Sequence, residues 1–300
     1  MSAEIIDGKK MAEEIKAELK QRVEALKEKG VNPFLAAVQV GEQPASRVYV
    51  NNQRKSCEAL GIEYRLDELP EDITEEAYIE HVEKLNSDLS VTGIILQMPI
   101  PDEFDSKRLQ SMVTAGKDVE GMGPANMGNV VYNMDDTPAP CTARAAVEII
   151  TRSGVEISGA DVCVVGRSEI VGKPAALMMI ALHSTVSVLH SKTKDFAGMC
   201  RNADILIVAA GRAGLVTGDM IKPGALVVDV GINRVPVLDD DGSPVLTDKE
   251  KPKKKTVGDV DFESAAETAG MITPVPGGVG PMTVAVLLTN VVKAAERMVE

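Results

Sequence analysis

Two stretches of this chain carry residues whose types and spacing can do chemistry. In the first, the apolar, β-branched run 162–165 is broken by Gly166, followed by Arg167 and Ser168 and then by Gly172. A strand buried on both faces reads this way, and a helix is expected to start near Val171 and run through 175–182. A strand, a glycine turn and a helix N-terminus together make an anion site. The orphan N–H groups and the positive dipole end point at the turn, and glycine lets a phosphate approach the main chain. The pattern suits the pyrophosphate of a dinucleotide, although Gly166-x-Ser168-x-x-x-Gly172 is not the usual G-x-G-x-x-G. An ordinary strand–helix turn without a ligand has the same appearance.

The next stretch, 184–190, reads as a second parallel strand. An NAD site usually places an acid at the end of such a strand, for the ribose 2′-hydroxyl. Here His190, Ser191 and Thr193 stand there, with Lys192 and Lys194 beside them and Arg167 back in the turn. A carboxylate would repel a 2′-phosphate, whereas an arginine and hydroxyl donors attract one, so the spacing points to NADP over NAD. Lys192 and Lys194 read as solvated surface charge.

The second chemical stretch is in the first half. Residues 45–60 read as a helix on which Ser46, Tyr49 and Gln53 fall at three- and four-residue steps and share one face. That face is polar with one aromatic, which suits a cleft wall, while a half-buried packing role for Tyr49 remains open. Arg54 and Lys55 point elsewhere. The buried strand 91–96 ends at Gln97, followed by Pro99 and Pro101. Ligands of open α/β sheets sit outside the carboxyl ends of strands, which makes Gln97 a site candidate. Residues 117–126 read as a glycine-rich loop bearing Asp118 and Glu120.

The elements that must position these residues alternate between strand and helix. A first amphipathic helix spans 9–29. Strands follow at 34–40 and 63–69, with a helix at 74–85 and another at 143–153. Further strands at 203–211 and 225–233 end at glycines. The stretch 239–255 is a charged loop or hairpin. A glycine- and proline-rich loop, 272–283, precedes a last helix over 284–298. Such alternation means α/β architecture with a parallel, doubly wound sheet, and 300 residues suggest two domains. The net charge of −13 makes nucleic acid an improbable partner and disfavours an anionic membrane surface. No apolar run approaches the ~20 residues of a membrane span, and the N-terminus lacks the pattern of a signal peptide. The 4 cysteines and 3 histidines show no metal-ligand spacing. Reduced thiols and no metal are expected, with His81 and His183 at helix positions.

Eight motifs, in order along nearly the whole chain, resemble the bifunctional methylenetetrahydrofolate dehydrogenase/cyclohydrolase family. They begin at Pro44, Leu96, Lys117, Pro140, Val164, His190, Gly258 and Thr273. The last, Thr273-Pro-Val-Pro-Gly-Gly-Val-Gly-Pro-Met-Thr283, is very specific. The resemblance implies a folate-binding, catalytic α/β domain over 1–140 and 272–300, and a Rossmann-like NADP-binding domain over 141–271. The C-terminal helix returns to the first domain, and a folate cleft lies between the two. It implies a cytoplasmic homodimer that oxidises 5,10-methylenetetrahydrofolate with NADP and then hydrolyses the methenyl product to 10-formyltetrahydrofolate. Catalytic roles fall to Tyr49, Gln53, Gln97 and Glu120. Substrate contacts fall to Ser46, Tyr49, Val50, Gln97, Pro99, Glu120, Pro276, Gly277 and Gly278. Cofactor contacts fall to Gly166, Arg167, Ser168, Ile170, Val171, His190, Ser191, Thr193, Ala210, Gly211 and Ile232.

The departures from the family pattern sit in the folate half. The family's Tyr-x-x-x-Lys is here Tyr49-x-x-x-Gln53, and the lysine serves the cyclohydrolase step. A glutamine amide cannot shuttle a proton at neutral pH, and Lys55 is about 200° around the helix from Gln53. The second acid of Lys-Asp-Val-Asp-Gly, which holds the pterin ring, is Glu120, one methylene longer. Pro-Cys-Thr-Pro ends in Ala143. The expectation is a dehydrogenase with weak or absent cyclohydrolase activity. Three readings stay open beside it: both activities with another base, a dehydrogenase for another pterin carrier, and a non-catalytic NADP- or folate-binding protein.

Overall fold

The computed structural model describes residues 2–42, 47–134, 136–239, 241, 243–246 and 252–299, without the side chains of Val48 and Tyr49. In chain order the elements are β1 (Glu4–Ile5), α1 (Gly8–Glu28), β2 (Phe34–Val40), α2 (Arg47–Leu60), β3 (Glu63–Leu69), α3 (Glu75–Ser87), β4 (Gly93–Leu96), α4 (Ser106–Met112), α5 (Pro124–Val131) and α6 (Cys141–Arg152). There follow β5 (Asp161–Val165), α7 (Gly172–Ala181), β6 (Thr185–Leu189), α8 (Phe196–Asn202), β7 (Ile205–Val208), β8 (Leu226–Asp229), β9 (Asn233–Pro236), β10 (Lys254–Val257), α9 (Phe262–Thr268), β11 (Met271–Ile272) and α10 (Val279–Glu296). The chain forms two compact units, Met1–Met11 with Thr142–Met282, and Ala12–Cys141 with Thr283–Glu300.

The unit built on Ala12–Cys141 holds a parallel sheet in the order β3-β2-β4. Its centre, β2, is buried at every position, which explains its unbroken apolar reading. On one face Tyr78, Val82 and Leu85 of α3 pack against Val38, Ile94 and Leu96. Each such fully buried side chain contributes roughly 1.5–3 kcal/mol. Thr74 caps α3 by accepting from the Ala77 N–H at 3.2 Å. The far end of α10 belongs to this unit: the Asn290 amide donates to the Val119 carbonyl at 2.8 Å, and Arg22 pairs bidentately with Glu296 at 2.8 and 2.6 Å.

The other unit holds a sheet in the order β1-β11-β8-β7-β5-β6, parallel throughout. The parallel, doubly wound architecture read from the alternation of elements is present. The two-residue β1 is too short for any periodicity to reveal, and it pairs with β11 at the far edge from β6. The contacts thereby group residues 1–11 with the second half of the chain, and 272–282 as well, where the sequence reading assigned both to the first domain.

Other boundaries also differ. The loop expected over 117–126 gives way at Pro124 to α5, a Pro at the first helical turn being a helix start. The last helix begins at Val279 rather than Val284, because the glycines of the preceding loop run into its first turn. The charged segment 239–255 connects β9 to β10, which pair antiparallel, while residues 240, 242 and 247–251 of it lie outside the described residues. His183 lies beyond α7 in a turn with φ 66°. All four cysteines are free thiols, and Cys163 and Cys200 share one core. By length and composition α10 could cross a membrane (18 residues, mean hydropathy 1.2), but 61% of it is buried in the fold, as in a core helix.

Candidate active site

In the unit with the larger sheet, the residues expected to bind cofactor gather at the carboxyl ends of adjacent parallel strands. Gly166 follows β5 with φ +116°, a conformation that side chains resist, and a Cβ there would collide with the Ala209 carbonyl oxygen after β7. A Cβ on Gly172 would strike the Gly166 carbonyl, so α7 begins tight against the turn. Ser168 is partly occupied within the protein, its hydroxyl accepting from the Val171 N–H at 3.2 Å. Arg167 is exposed, with no ion pair among the described residues.

After β6, the Thr193 hydroxyl accepts from the His190 N–H at 3.0 Å, which leaves its own proton to donate outward. His190 Nδ1 accepts from the Lys192 N–H at 3.1 Å. Ser191, Lys192 and Lys194 are exposed, and no carboxylate stands at this strand end until Asp195, which is engaged in capping α8. Ala210 and Gly211 follow β7, and Ile232 follows β8. Ile170 and Ile232, 50% and 71% exposed, offer apolar surface at these turns. A glycine cradle, a helix N-terminus, the exposed Arg167 and outward hydroxyls fit a phosphorylated dinucleotide. Pro276, Gly277 and Gly278 follow β11 in this same unit.

The other unit positions the second set. Gln53 on α2 and Gln97 after β4 are buried, 1% and 3% exposed, and Gln97 Nε2 donates to Gln53 Oε1 at 2.7 Å. Gln53 Nε2 is buried with no partner among the described residues. An unmet buried donor costs about 1–3 kcal/mol, which is tolerated where a ligand supplies the acceptor. Val50, one turn before Gln53, is buried, and Pro99 is exposed. Lys55 is exposed. Ser46 and the Tyr49 side chain lie outside the described residues.

The two acids of the 117–121 motif divide their roles. Asp118 Oδ1 accepts from the Gly121 and Met122 N–H groups at 3.0 and 3.2 Å, and Oδ2 from the Gly123 N–H at 2.7 Å and the Asn126 amide at 3.0 Å. It is the loop's anchor. Glu120, half-buried, makes no hydrogen bond among the described residues. Burial pushes its carboxyl up to about 8, and the negative charge of Asp118 adds to the rise. Burial likewise pushes the Tyr78 phenol up, with the Glu120 charge adding.

The comparisons with known proteins cover both units. Residues 6–120 match the tetrahydrofolate dehydrogenase/cyclohydrolase catalytic domain, and residues 140–299 match the NAD(P)-binding domain of the same enzymes. The chain belongs to the tetrahydrofolate dehydrogenase/cyclohydrolase family. It is 48% identical over 297 residues to the bifunctional protein FolD of Moorella thermoacetica, covering 99% of this chain and 100% of that one. The crystal structure of the bifunctional FolD enzyme from Campylobacter jejuni superposes with a TM-score of 0.91 at 40% identity, covering 99% and 100% of the two chains. The Trypanosoma brucei FolD, solved with NADP and an inhibitor, gives 0.89 at 38% identity over 100% and 99%.

Within this family member, motif reasoning missed the two roles of the acids, because spacing alone does not tell an anchor from a free carboxyl. Glu120 gives a pH signature. Its folded value, about 8, lies above the ordinary 4.5, so the folded state bears the cost of ionising it in full above about pH 8. That cost is relieved as pH falls from about 8 towards 4.5. Glu120→Gln is therefore expected to be about 2 kcal/mol more stable than the parent at pH 9 and equal to it near pH 4.5. Urea unfolding at pH 5, 7 and 9 measures this, and a difference that does not grow with pH contradicts it.

Proposed function

We propose that this chain oxidises 5,10-methylenetetrahydrofolate to the 5,10-methenyl cation with NADP, and that its cyclohydrolase step is weak or lost. The observation that carries the second half is the Gln97–Gln53 amide pair, buried and without a proton to exchange at neutral pH. NADP, when bound, takes the hydride of the substrate's one-carbon unit. The cation left behind is stabilised by the folate's own N5 lone pair, so this step asks the protein for proximity and orientation more than for an acid or base. Gln97 and Gln53 supply fixed dipoles, the Gln53 N–H group that has no partner among the described residues supplies a donor, and Glu120 supplies a carboxyl to the pterin ring. Arg167, Ser191 and Thr193 favour a 2′-phosphate, the basis for NADP over NAD.

Adding water to the methenyl cation and opening the ring needs proton transfer, worth roughly 10²–10⁴-fold. Lys55, exposed and on another side of α2, does not replace the family lysine. One observation favours retention of both activities: Glu120, at about 8, is a group that can exchange a proton near neutral pH. The test is a two-signal assay on purified protein. It follows NADPH formation from methylenetetrahydrofolate, and separately the decay of added methenyltetrahydrofolate above its spontaneous rate. NADPH without accelerated decay is expected. Comparable rates of both would overturn the monofunctional reading, and absence of NADPH formation would overturn the dehydrogenase itself. A cytoplasmic homodimer is the assembly expected from the family, and analytical ultracentrifugation tests its size.

A further inference from the structure

Beneath the carboxyl edge of the larger sheet lie two buried aspartates that the reaction does not use. Asp229, 3% exposed at the end of β8, accepts from the N–H groups of Gly231 at 2.9 Å and Asp259 at 3.0 Å through Oδ1, and from Val260 at 2.9 Å through Oδ2. Its own N–H donates to the Thr273 hydroxyl at 2.8 Å, at the head of the loop bearing Pro276. Asp259, fully buried, accepts from the Ala210 and Gly211 N–H groups at 2.6 and 2.7 Å through Oδ2, and from the Asn233 amide at 2.8 Å through Oδ1. A Cβ on Gly231 would enter the Asp259 carboxyl, and one on Gly258 the Asp229 carboxyl. The loops after β7, β8 and β10 are thus tied together by two side chains, and the loop after β11 joins them through the Thr273 hydroxyl.

We infer that Asp259 is a positioning residue for the cofactor: its carboxylate holds the Ala210–Gly211 turn in the place where that turn meets Gly166. The turn has little else to fix it. Ala210 and Gly211 are exposed, and Gly211 has φ +67°. Two N–H groups on one carboxylate oxygen are charge-assisted bonds, about twice as strong as neutral ones. The Ala209 carbonyl, one residue before them, is the atom that Gly166 approaches too closely for any side chain. Releasing the turn therefore changes the shape of the phosphate cradle from its far side, without removing any group that touches cofactor.

This inference rests on reading the carboxyl edge as the NADP site, so the first measurement is NADPH binding to the unaltered protein, by the fluorescence of the nicotinamide. No binding there would refute that reading rather than the role of Asp259. Given binding, Asp259→Ala is expected to raise the NADPH Kd and the NADP KM at least tenfold, with the KM for methylenetetrahydrofolate within about twofold of the parent. Asp259→Asn keeps the shape but loses the charge, and a threefold or greater rise is expected. It carries the test if the alanine variant does not fold. Asp261→Ala is the control: Asp261 caps α9 by accepting from the Ser264 N–H at 3.3 Å and touches no cofactor turn. It should lower Tm without moving the Kd. An unchanged NADPH Kd in the folded Asp259 variants, or an equal rise in Asp261→Ala, would overturn the inference.

Discussion

Gln53→Lys is expected to accelerate the decay of methenyltetrahydrofolate by about 10²-fold or more over the parent protein, while NADPH formation changes less than threefold. The size follows from what a positioned proton carrier contributes, roughly 10²–10⁴-fold. The direction follows from the surroundings. Position 53 is almost wholly buried, and a lysine ammonium there loses hydration, which pulls its pKa down towards neutrality. A lysine that can be neutral near pH 7 can take a proton from water and return it. Gln97 already points at position 53 with its amide at 2.7 Å, and turning that amide over would present its oxygen to the new ammonium. The hydride step is spared because it uses no acid or base. Stopped-flow decay of the methenyl chromophore measures the first quantity and NADPH absorbance the second. A variant that folds and makes NADPH at the parent rate, yet leaves decay at the spontaneous rate, would show that Gln53 is not what limits hydrolysis. Suspicion would then pass to Glu120.

How much of this was legible in the sequence depends on the range of the interactions. The strands β2, β5, β7 and β8 are short apolar runs buried on both faces, and pattern alone located them. The cradle was legible because glycine at 166 and 172 is a local demand of the backbone. The substitution at Gln53 was legible as a departure from a family pattern, but not that Gln97 would donate to it across 44 residues. Nor could spacing show that Asp118 spends both oxygens on its own loop while Glu120 makes no hydrogen bond among the described residues. The aspartates at 229 and 259 stood in plain view, one at a strand end and one in a recognised motif. Their roles arise from loops that only the fold brings together. The edge strand β1 carries two residues and no period, so only its pairing with β11 reveals it.

Gly166→Ala is expected to raise the NADP KM about a hundredfold or more and to cost about 2–4 kcal/mol of stability. Two penalties add at this residue. The first is the backbone: φ +116° is a conformation an alanine rarely adopts. The second is space, because the new methyl would enter the Ala209 carbonyl oxygen, which is main chain and cannot swing aside as a side chain can. Both neighbours are held by the sheet: the Gly166 N–H donates to the Leu189 carbonyl at 2.9 Å, and the Ala209 N–H donates to the Val165 carbonyl at 2.7 Å. Relief has to come from the turn beyond Ala209, which Asp259 grips from the other side, or from the turn carrying Arg167 and Ser168. Either movement opens the cradle. Gly159→Ala separates the two penalties. Gly159 has φ +79°, but an added methyl would meet nothing within 4 Å, so only the backbone cost of about 1 kcal/mol applies, far from the cofactor turns. If both variants lose similar stability and both keep the parent KM, close approach at Gly166 is a packing detail of the sheet. If only Gly166→Ala loses NADP, the contact between the first and third turns of the carboxyl edge is what shapes the phosphate site.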